Sequence, residues 1–301
     1  MIWLIGCKGM LGTEVARQLS ESKFDFAGTD IDVDITDRAA LLAFAEKYKA
    51  QGKKISWIIN CSAYTAVDKA ESDAEFAAKL NEEGPRNIAK VAAELGAKMI
   101  HISTDYVFDG TGDTPRTEDM PIAPIGVYGV TKAAGEKAVA ESTEAYYILR
   151  TAWLYGWAGR NFVYTMIKAM NTHDSVKVVA DQKGTPTFAA DLAGVIMKLI
   201  EKGGTAPYGI YHCTDLGETT WYDFTVEIKK QAESAGWLTN KNCVVNPCTT
   251  DEYPTPAKRP AYSVLCKDKV QKTLGIVLPD WKESLSVFLK SPMFYKSRID
   301  L

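Results

Sequence analysis

The chain opens on a short apolar run, Ile2-Trp3-Leu4-Ile5, and passes without a linker into Gly6-Cys7-Lys8-Gly9-Met10-Leu11-Gly12, after which apolar residues recur at helical spacing over 11–19. A strand, a turn with glycine at every third position and a helix in so little chain leave few folds open. In such a turn the first glycine permits the tight reversal. The second lets backbone approach a pyrophosphate, and the third lets the helix pack closely on the strand. The helix N-terminus then presents N–H groups to phosphate. The pattern predicts a dinucleotide site, with Gly6, Lys8, Gly9, Met10, Leu11 and Gly12 against the cofactor.

The chain that follows keeps the alternation. Further strands are expected at 24–28, 55–60, 98–104 and 145–150, and helices at 41–48, 70–95 (broken near Gly84-Pro85) and 129–142. Strands separated by helices imply right-handed crossovers and a parallel sheet covered on both faces. The expected fold is α/β, a Rossmann-type doubly wound parallel sheet with a smaller C-terminal substrate-binding lobe. After Thr151 the pattern loosens, with helices at 162–170 and 191–201, a strand at 176–180, a late strand at 208–213 that can rejoin the sheet, two helical segments after 219 and a Pro-rich stretch at 253–260. This divides the chain into a dinucleotide-binding part, 1–152 with about 188–213, and a substrate lobe, about 153–187 with 214–301.

Composition excludes several other roles. The 301 residues carry 35 Lys plus Arg against 38 Asp plus Glu, a net charge of −3, so the basic excess of a nucleic-acid binder is missing. No apolar run approaches the length of a membrane span, and the N-terminus lacks the pattern of a signal peptide, so a cytoplasmic protein is expected. The six cysteines form no Cys-x-x-Cys pair and the three histidines are scattered, which speaks against a zinc site.

Two residues bear on which dinucleotide binds. Asp30, at the end of the second strand, suits ribose hydroxyls and repels a 2′-phosphate, which favours NADH; Lys8 can reach a 2′-phosphate and favours NADPH. The expectation is a nicotinamide cofactor, NADPH or NADH. Asp34-Ile35 is either an adenine contact or part of a helix cap.

Tyr128 and Lys132 stand four apart, on one face of a helix. An ammonium near a phenol favours the phenolate and lowers its pKa towards working pH. Thr104 ends the fourth strand, at the carboxyl edge where ligands of such sheets bind. A hydroxyl, a phenol and an amine downstream of a dinucleotide turn make a carbonyl-reducing site. Thr104 holds the carbonyl oxygen, Tyr128 donates the proton, and Lys132 tunes Tyr128 and holds the nicotinamide ribose.

These motifs together resemble the extended short-chain dehydrogenase/reductases. The stretches 60–71, 103–108, 127–132 and 181–187 and the pair Arg259-Pro260 narrow the likeness to the dTDP-4-dehydrorhamnose reductase family. The resemblance implies reduction of the C4 ketone of dTDP-4-dehydro-L-rhamnose to dTDP-L-rhamnose. It places Ala63, with its neighbours Cys61, Ser62 and Tyr64, along the cofactor, and Thr104-Asp105, Tyr128 and Trp153 against the sugar. It matches Arg259 to an arginine suited to a diphosphate, with an inter-lobe ion pair as the other reading. Tyr64 stands where many members carry His. Ala190 stands where metal-binding members carry Glu, and Glu14 alone builds no such site, so no metal is expected. The implied partner is a small nucleotide sugar, with a homodimer as a further candidate. Two alternatives share the fold: another nucleotide-sugar reductase or epimerase, and a non-catalytic regulatory subunit like the methionine adenosyltransferase beta subunit.

Overall fold

A computed structural model describes residues 1–296. The first half runs β1 (Ile2–Ile5), α1 (Met10–Glu21), β2 (Phe26–Thr29), α2 (Arg38–Lys49), β3 (Trp57–Asn60), α3 (Val67–Ala70), α4 (Ala74–Ala78), a π-helical turn (Lys79–Glu83), α5 (Gly84–Leu95), β4 (Lys98–Thr104), a 3-10 turn (Asp105–Val107), α6 (Val127–Ser142) and β5 (Tyr146–Thr151). The second half adds β6 (Leu154–Tyr155), α7 (Phe162–Thr172), β7 (Ser175–Val179), β8 (Lys183–Gly184), β9 (Thr187–Phe188), α8 (Ala189–Glu201), β10 (Gly209–His212), β11 (Thr219–Thr220), α9 (Trp221–Ser234), β12 (Val244–Cys248), α10 (Asp268–Leu274), α11 (Trp281–Lys290) and α12 (Pro292–Lys296).

Six strands form one parallel sheet in the order β2-β1-β3-β4-β5-β10, the expected doubly wound architecture. Leu11, Val15, Leu192 and Ile196 from α1 and α8 cover one face. Leu41, Ile88, Ala92 and Val139 from α2, α5 and α6 cover the other. Burial on both faces is why β1 and β3 show no polar alternation, with Asn60 at the end of β3 their one polar residue: every residue of each is buried. The strand order reverses between β1 and β3. The crevice therefore opens over Gly6 and Cys61, at the carboxyl ends of those two strands. A separate aromatic core of Tyr155, Phe188, Phe224, Trp281 and Phe288 holds α9 and α11 to the segments after β5.

Three differences from the sequence expectation stand out. The stretch 70–95 is interrupted at 71–73, and near Gly84-Pro85, where a break was expected, the π-helical turn 79–83 passes into α5. The π turn fits under α6 because Gly135 is bare: a Cβ there would come within 2.0 Å of the Asn81 carbonyl oxygen. The second is β12, absent from the expectation. It carries Pro247 and pairs parallel with β7. The C-terminal part also holds more helices than the two expected, with α10, α11 and α12 following α9. Among the described residues no helix is long and apolar enough to cross a membrane.

One buried pair ties the catalytic-motif helix to the sheet. Arg150 of β5, 2 % exposed, binds Glu136 of α6 through both carboxylate oxygens, with Nε to Oε1 at 2.8 Å and Nη2 to Oε2 at 2.7 Å. Removing one member strands the other charge in a dry site. Arg150→Met is expected to cost about 3–5 kcal/mol of unfolding free energy, read from urea denaturation. A loss under 1 kcal/mol means that Glu136 finds another partner.

Candidate active site

The glycine turn is built as its spacing demands. Gly6 has φ +77°, and a Cβ there would lie 2.7 Å from the Ser62 backbone nitrogen. α1 begins after Gly9, which offers no side-chain cap, and its first turn carries no acidic residue. Its leading N–H groups are thus left for an anion. Leu11 is buried beneath the turn, Met10 is half-buried, and Lys8 is exposed.

Asp30 leans back onto that turn. Its carboxylate accepts the Lys8 N–H at 3.0 Å and the Ile31 N–H at 3.1 Å. Asp34 makes local hydrogen bonds. Asp34 Oδ1 accepts both the backbone N–H and the hydroxyl of Thr36 at 2.8 Å, while Asp37 caps α2. The Ile35 side chain is buried against Gly84, and its carbonyl accepts from Asn87 Nδ2 at 3.3 Å.

Beyond β3 the chain runs through Cys61, Ser62, Ala63 and Tyr64, with the Ser62 backbone packed close to Gly6. Ser62 is held through Asn60, whose amide also meets His101 Nδ1 at 3.1 Å. Tyr64 is fixed by Asn81: its N–H donates to Asn81 Oδ1 at 2.8 Å, and Asn81 Nδ2 donates to the Tyr64 carbonyl and to Thr131 Oγ1, both at 3.1 Å. Asn81 was not foreseen from sequence. It lies in the π turn, fully buried, and joins the loop under the crevice to the helix segment between Tyr128 and Lys132.

Thr104, Tyr128 and Lys132 meet at the carboxyl end of β4. Lys132 is 2 % exposed and donates to the Ile102 carbonyl at 2.6 Å. An ammonium has three donors, and this bond uses one. Burial pushes its pKa down to about 8, against the pull of Glu136 one turn along. The phenol departs from expectation. Burial pushes the Tyr128 pKa well up; the Thr104 hydroxyl beside it opposes the shift, and Asp105 and Tyr106 add to it. The ammonium is engaged by a backbone carbonyl and does not bring the phenol towards neutrality. Tyr128 thus holds its proton at neutral pH, the state a proton donor needs.

Asp105 is buried behind Thr104, with Thr104 Oγ1 2.9 Å from Oδ1. Burial raises its pKa to about 6, and the Thr104 bond opposes that rise. Tyr106 stacks edge-on against Tyr128, with ring centroids 5.4 Å apart.

Arg259 takes the ion-pair reading in this structure. Its Nη2 lies 2.7 Å from Asp68 Oδ2, and its Nη1 donates to the Tyr106 hydroxyl at 3.2 Å. It stands beside the tyrosine pair, but its guanidinium is already partnered. Trp153 follows β5, whose last residue pairs with Thr104. Its φ of +48° is strained for an aromatic residue. Its ring stacks on Trp221, 3.6 Å between centroids and 11° between planes. Trp221, the first residue of α9, was also not foreseen. Near Ala190, Glu14 is bound by Arg17 and Gln18, and among the described residues no cluster of three or more His, Cys, Asp or Glu is arranged to hold a metal.

Comparison with known proteins gives a consistent set. The family described as RmlD substrate binding domain matches residues 1–293. A dTDP-4-dehydrorhamnose reductase from Clostridium acetobutylicum is similar in structure, with a TM-score of 0.88 and 45 % identity, over 96 % of this chain and 98 % of that one. The dTDP-4-dehydrorhamnose reductase of Bacillus anthracis, in complex with NADP, has a TM-score of 0.85 and 36 % identity, over 95 % and 97 %. A probable dTDP-4,6-dihydroxy-2-methyloxan-3-one 4-ketoreductase from Streptomyces antibioticus is 41 % identical over 288 residues, 95 % of this chain and 93 % of the relative.

Proposed function

The chain belongs to the RmlD substrate binding domain family, and from that membership we propose that it reduces the C4 ketone of dTDP-4-dehydro-L-rhamnose to dTDP-L-rhamnose with NADH or NADPH. The observation that carries the reading is the match over residues 1–293 together with the meeting of Thr104, Tyr128 and Lys132 at the sheet's carboxyl edge. The residues present fit a nicotinamide dinucleotide. The glycine turn packs so closely that Gly6 and Gly12 admit no side chain, and the uncapped N-terminus of α1 beside it would hold the pyrophosphate; Asp30 and the 61–64 loop would flank it, and the remaining donors of Lys132 suit a ribose diol. When bound, the reduced nicotinamide supplies the hydride.

The chain's own part is acid catalysis and orientation. Tyr128 delivers its proton to the developing alkoxide. Thr104 orients the carbonyl oxygen. Lys132, anchored on the Ile102 carbonyl, keeps two donors for the ribose of the dinucleotide. Trp153, on its Trp221 backing, faces the sugar, and Arg259 lies within the substrate side. We assign 1–152 with about 188–213 to the dinucleotide and 153–187 with 214–301 to the sugar nucleotide; residues 297–301 lie outside the described part. A cytoplasmic setting goes with this reading and is supported by all six thiols being free. Size-exclusion chromatography decides between one copy and a homodimer.

A second reading has a specific support: the Streptomyces antibioticus relative, 41 % identical, is named for a different dTDP-linked 4-ketosugar. The test offers both ketosugars, generated in situ, and follows NADH and NADPH absorbance separately. The expected result is stoichiometric oxidation with dTDP-4-dehydro-L-rhamnose. Oxidation with the other ketosugar alone moves the assignment to that substrate, and no oxidation with either overturns both.

A further inference from the structure

The contact between Thr104 and Asp105 is not absorbed by the mechanism above. A hydroxyl has one proton to donate. Beside an ionised Asp105 that proton goes to Oδ1, 2.9 Å away. The Thr104 oxygen also accepts the Tyr106 N–H at 3.3 Å. In that state Thr104 has nothing to offer a ketone oxygen. If Asp105 carries a proton, the same contact reverses: the carboxyl donates, Thr104 accepts, and the threonine O–H is free to turn to the substrate.

We propose that Asp105 is a positioning residue that sets the direction in which Thr104 donates, so that Thr104 helps to hold the ketone oxygen only while Asp105 is protonated. The inference rests on the reductase reading above. Its geometry is closed on all sides. Asp105 is 2 % exposed, and its Oδ2 makes no bond of acceptable geometry, although the Ser263 hydroxyl from the C-terminal segment lies beside it. The groups facing it are Tyr128 and, deeper on α6, Lys132; Tyr106 next in sequence; and behind Tyr106 the Arg259–Asp68 pair. No cation touches the carboxyl; burial raises its titration to about 6, against the Thr104 and Ser263 hydroxyls and the backbone N–H groups of Asp105 and Tyr106, which favour the carboxylate. The buried histidines do not supply that inflection, since burial drives both His101 and His212 well below their usual value.

The test combines a pH profile with a readout that needs no turnover. The wild-type kcat/KM should fall about tenfold as pH rises through about 6. Asp105→Asn keeps a neutral donor beside Thr104; its profile should be flat there and should stay near the low-pH rate of the parent. Thr104→Val should remove the inflection and hold the rate near the parent's high-pH level at every pH, and Thr104→Ser should keep the inflection and the low-pH rate. Separately, infrared difference titration of the protein alone should show one buried carboxyl that Asp105→Asn removes. Thr104→Val should push its titration upward, because the hydroxyl no longer stabilises the carboxylate. An inflection retained in Asp105→Asn, or an infrared titration indifferent to Thr104→Val, overturns the proposal. If the ketosugar is not reduced at all but the infrared arm behaves as stated, the function assigned above fails while the Thr104–Asp105 coupling stands.

Discussion

Tyr128→Phe is expected to lose about 10²–10⁴ of kcat while binding NADH as tightly as the parent chain. The size follows from the lack of a substitute donor. The phenol is buried and its pKa is raised, so it keeps its proton until an alkoxide forms to take it. With Asp105 ionised, the Thr104 proton is committed to that carboxylate. The Lys132 ammonium is drawn to the Ile102 carbonyl at 2.6 Å. Phenylalanine keeps the edge-on packing against Tyr106, and the loss is therefore chemical rather than structural. Single-turnover absorbance measures the chemical step, and NADH fluorescence measures binding. Full turnover in the variant sinks the role of Tyr128 and leaves the fold untouched.

The pieces of this site that were legible in the sequence are those held together by local rules. Gly6, Gly9 and Gly12 are legible because a turn needs them within one strand–helix step. Tyr128 and Lys132 are legible because four residues make one helical turn. The late strand expected at 208–213 rejoins the sheet as β10, pairing parallel with β5 at the sheet's edge.

The illegible part is what joins distant segments. Asp68 and Arg259 are 191 residues apart, and nothing in either neighbourhood announces the other. Asn81 carried no signal of its own, standing among Lys79, Glu82 and Glu83 with a second asparagine, Asn87, in the same alanine-rich stretch. Trp221 had none, since a tryptophan at a helix start is as often core as ligand-facing. The Tyr128 pKa ran against expectation for a related reason. Helical spacing places the lysine near the tyrosine, but the carbonyl of Ile102, a neighbour from the sheet, decides where the ammonium points. Burial, which sequence shows poorly, then sets the direction of the shift.

Gly12→Ala carries the second large effect, and it tests the feature from which the fold was inferred. A Cβ at residue 12 would stand 2.0 Å from the Gly6 carbonyl oxygen, 2.8 Å from its carbon and 2.9 Å from the Cys7 Cα. All three are backbone atoms of the turn, and no side chain can swing aside to make room. Either α1 lifts from β1 or the turn opens. Overpacking of this kind costs about 1–3 kcal/mol of stability. The same displacement misplaces the N–H groups that meet a pyrophosphate, so NADH affinity in a fluorescence titration should fall by about 100-fold or more. Gly194 supplies the opposite case. It lies within α8, and a Cβ there meets nothing within 4 Å. Gly194→Ala should therefore stabilise by about 0.5–1 kcal/mol and leave NADH binding alone. The two substitutions are chemically identical, so their difference isolates what the turn requires. If Gly12→Ala binds NADH as the parent does, the turn is a structural reversal, and the dinucleotide must sit elsewhere on the sheet's edge.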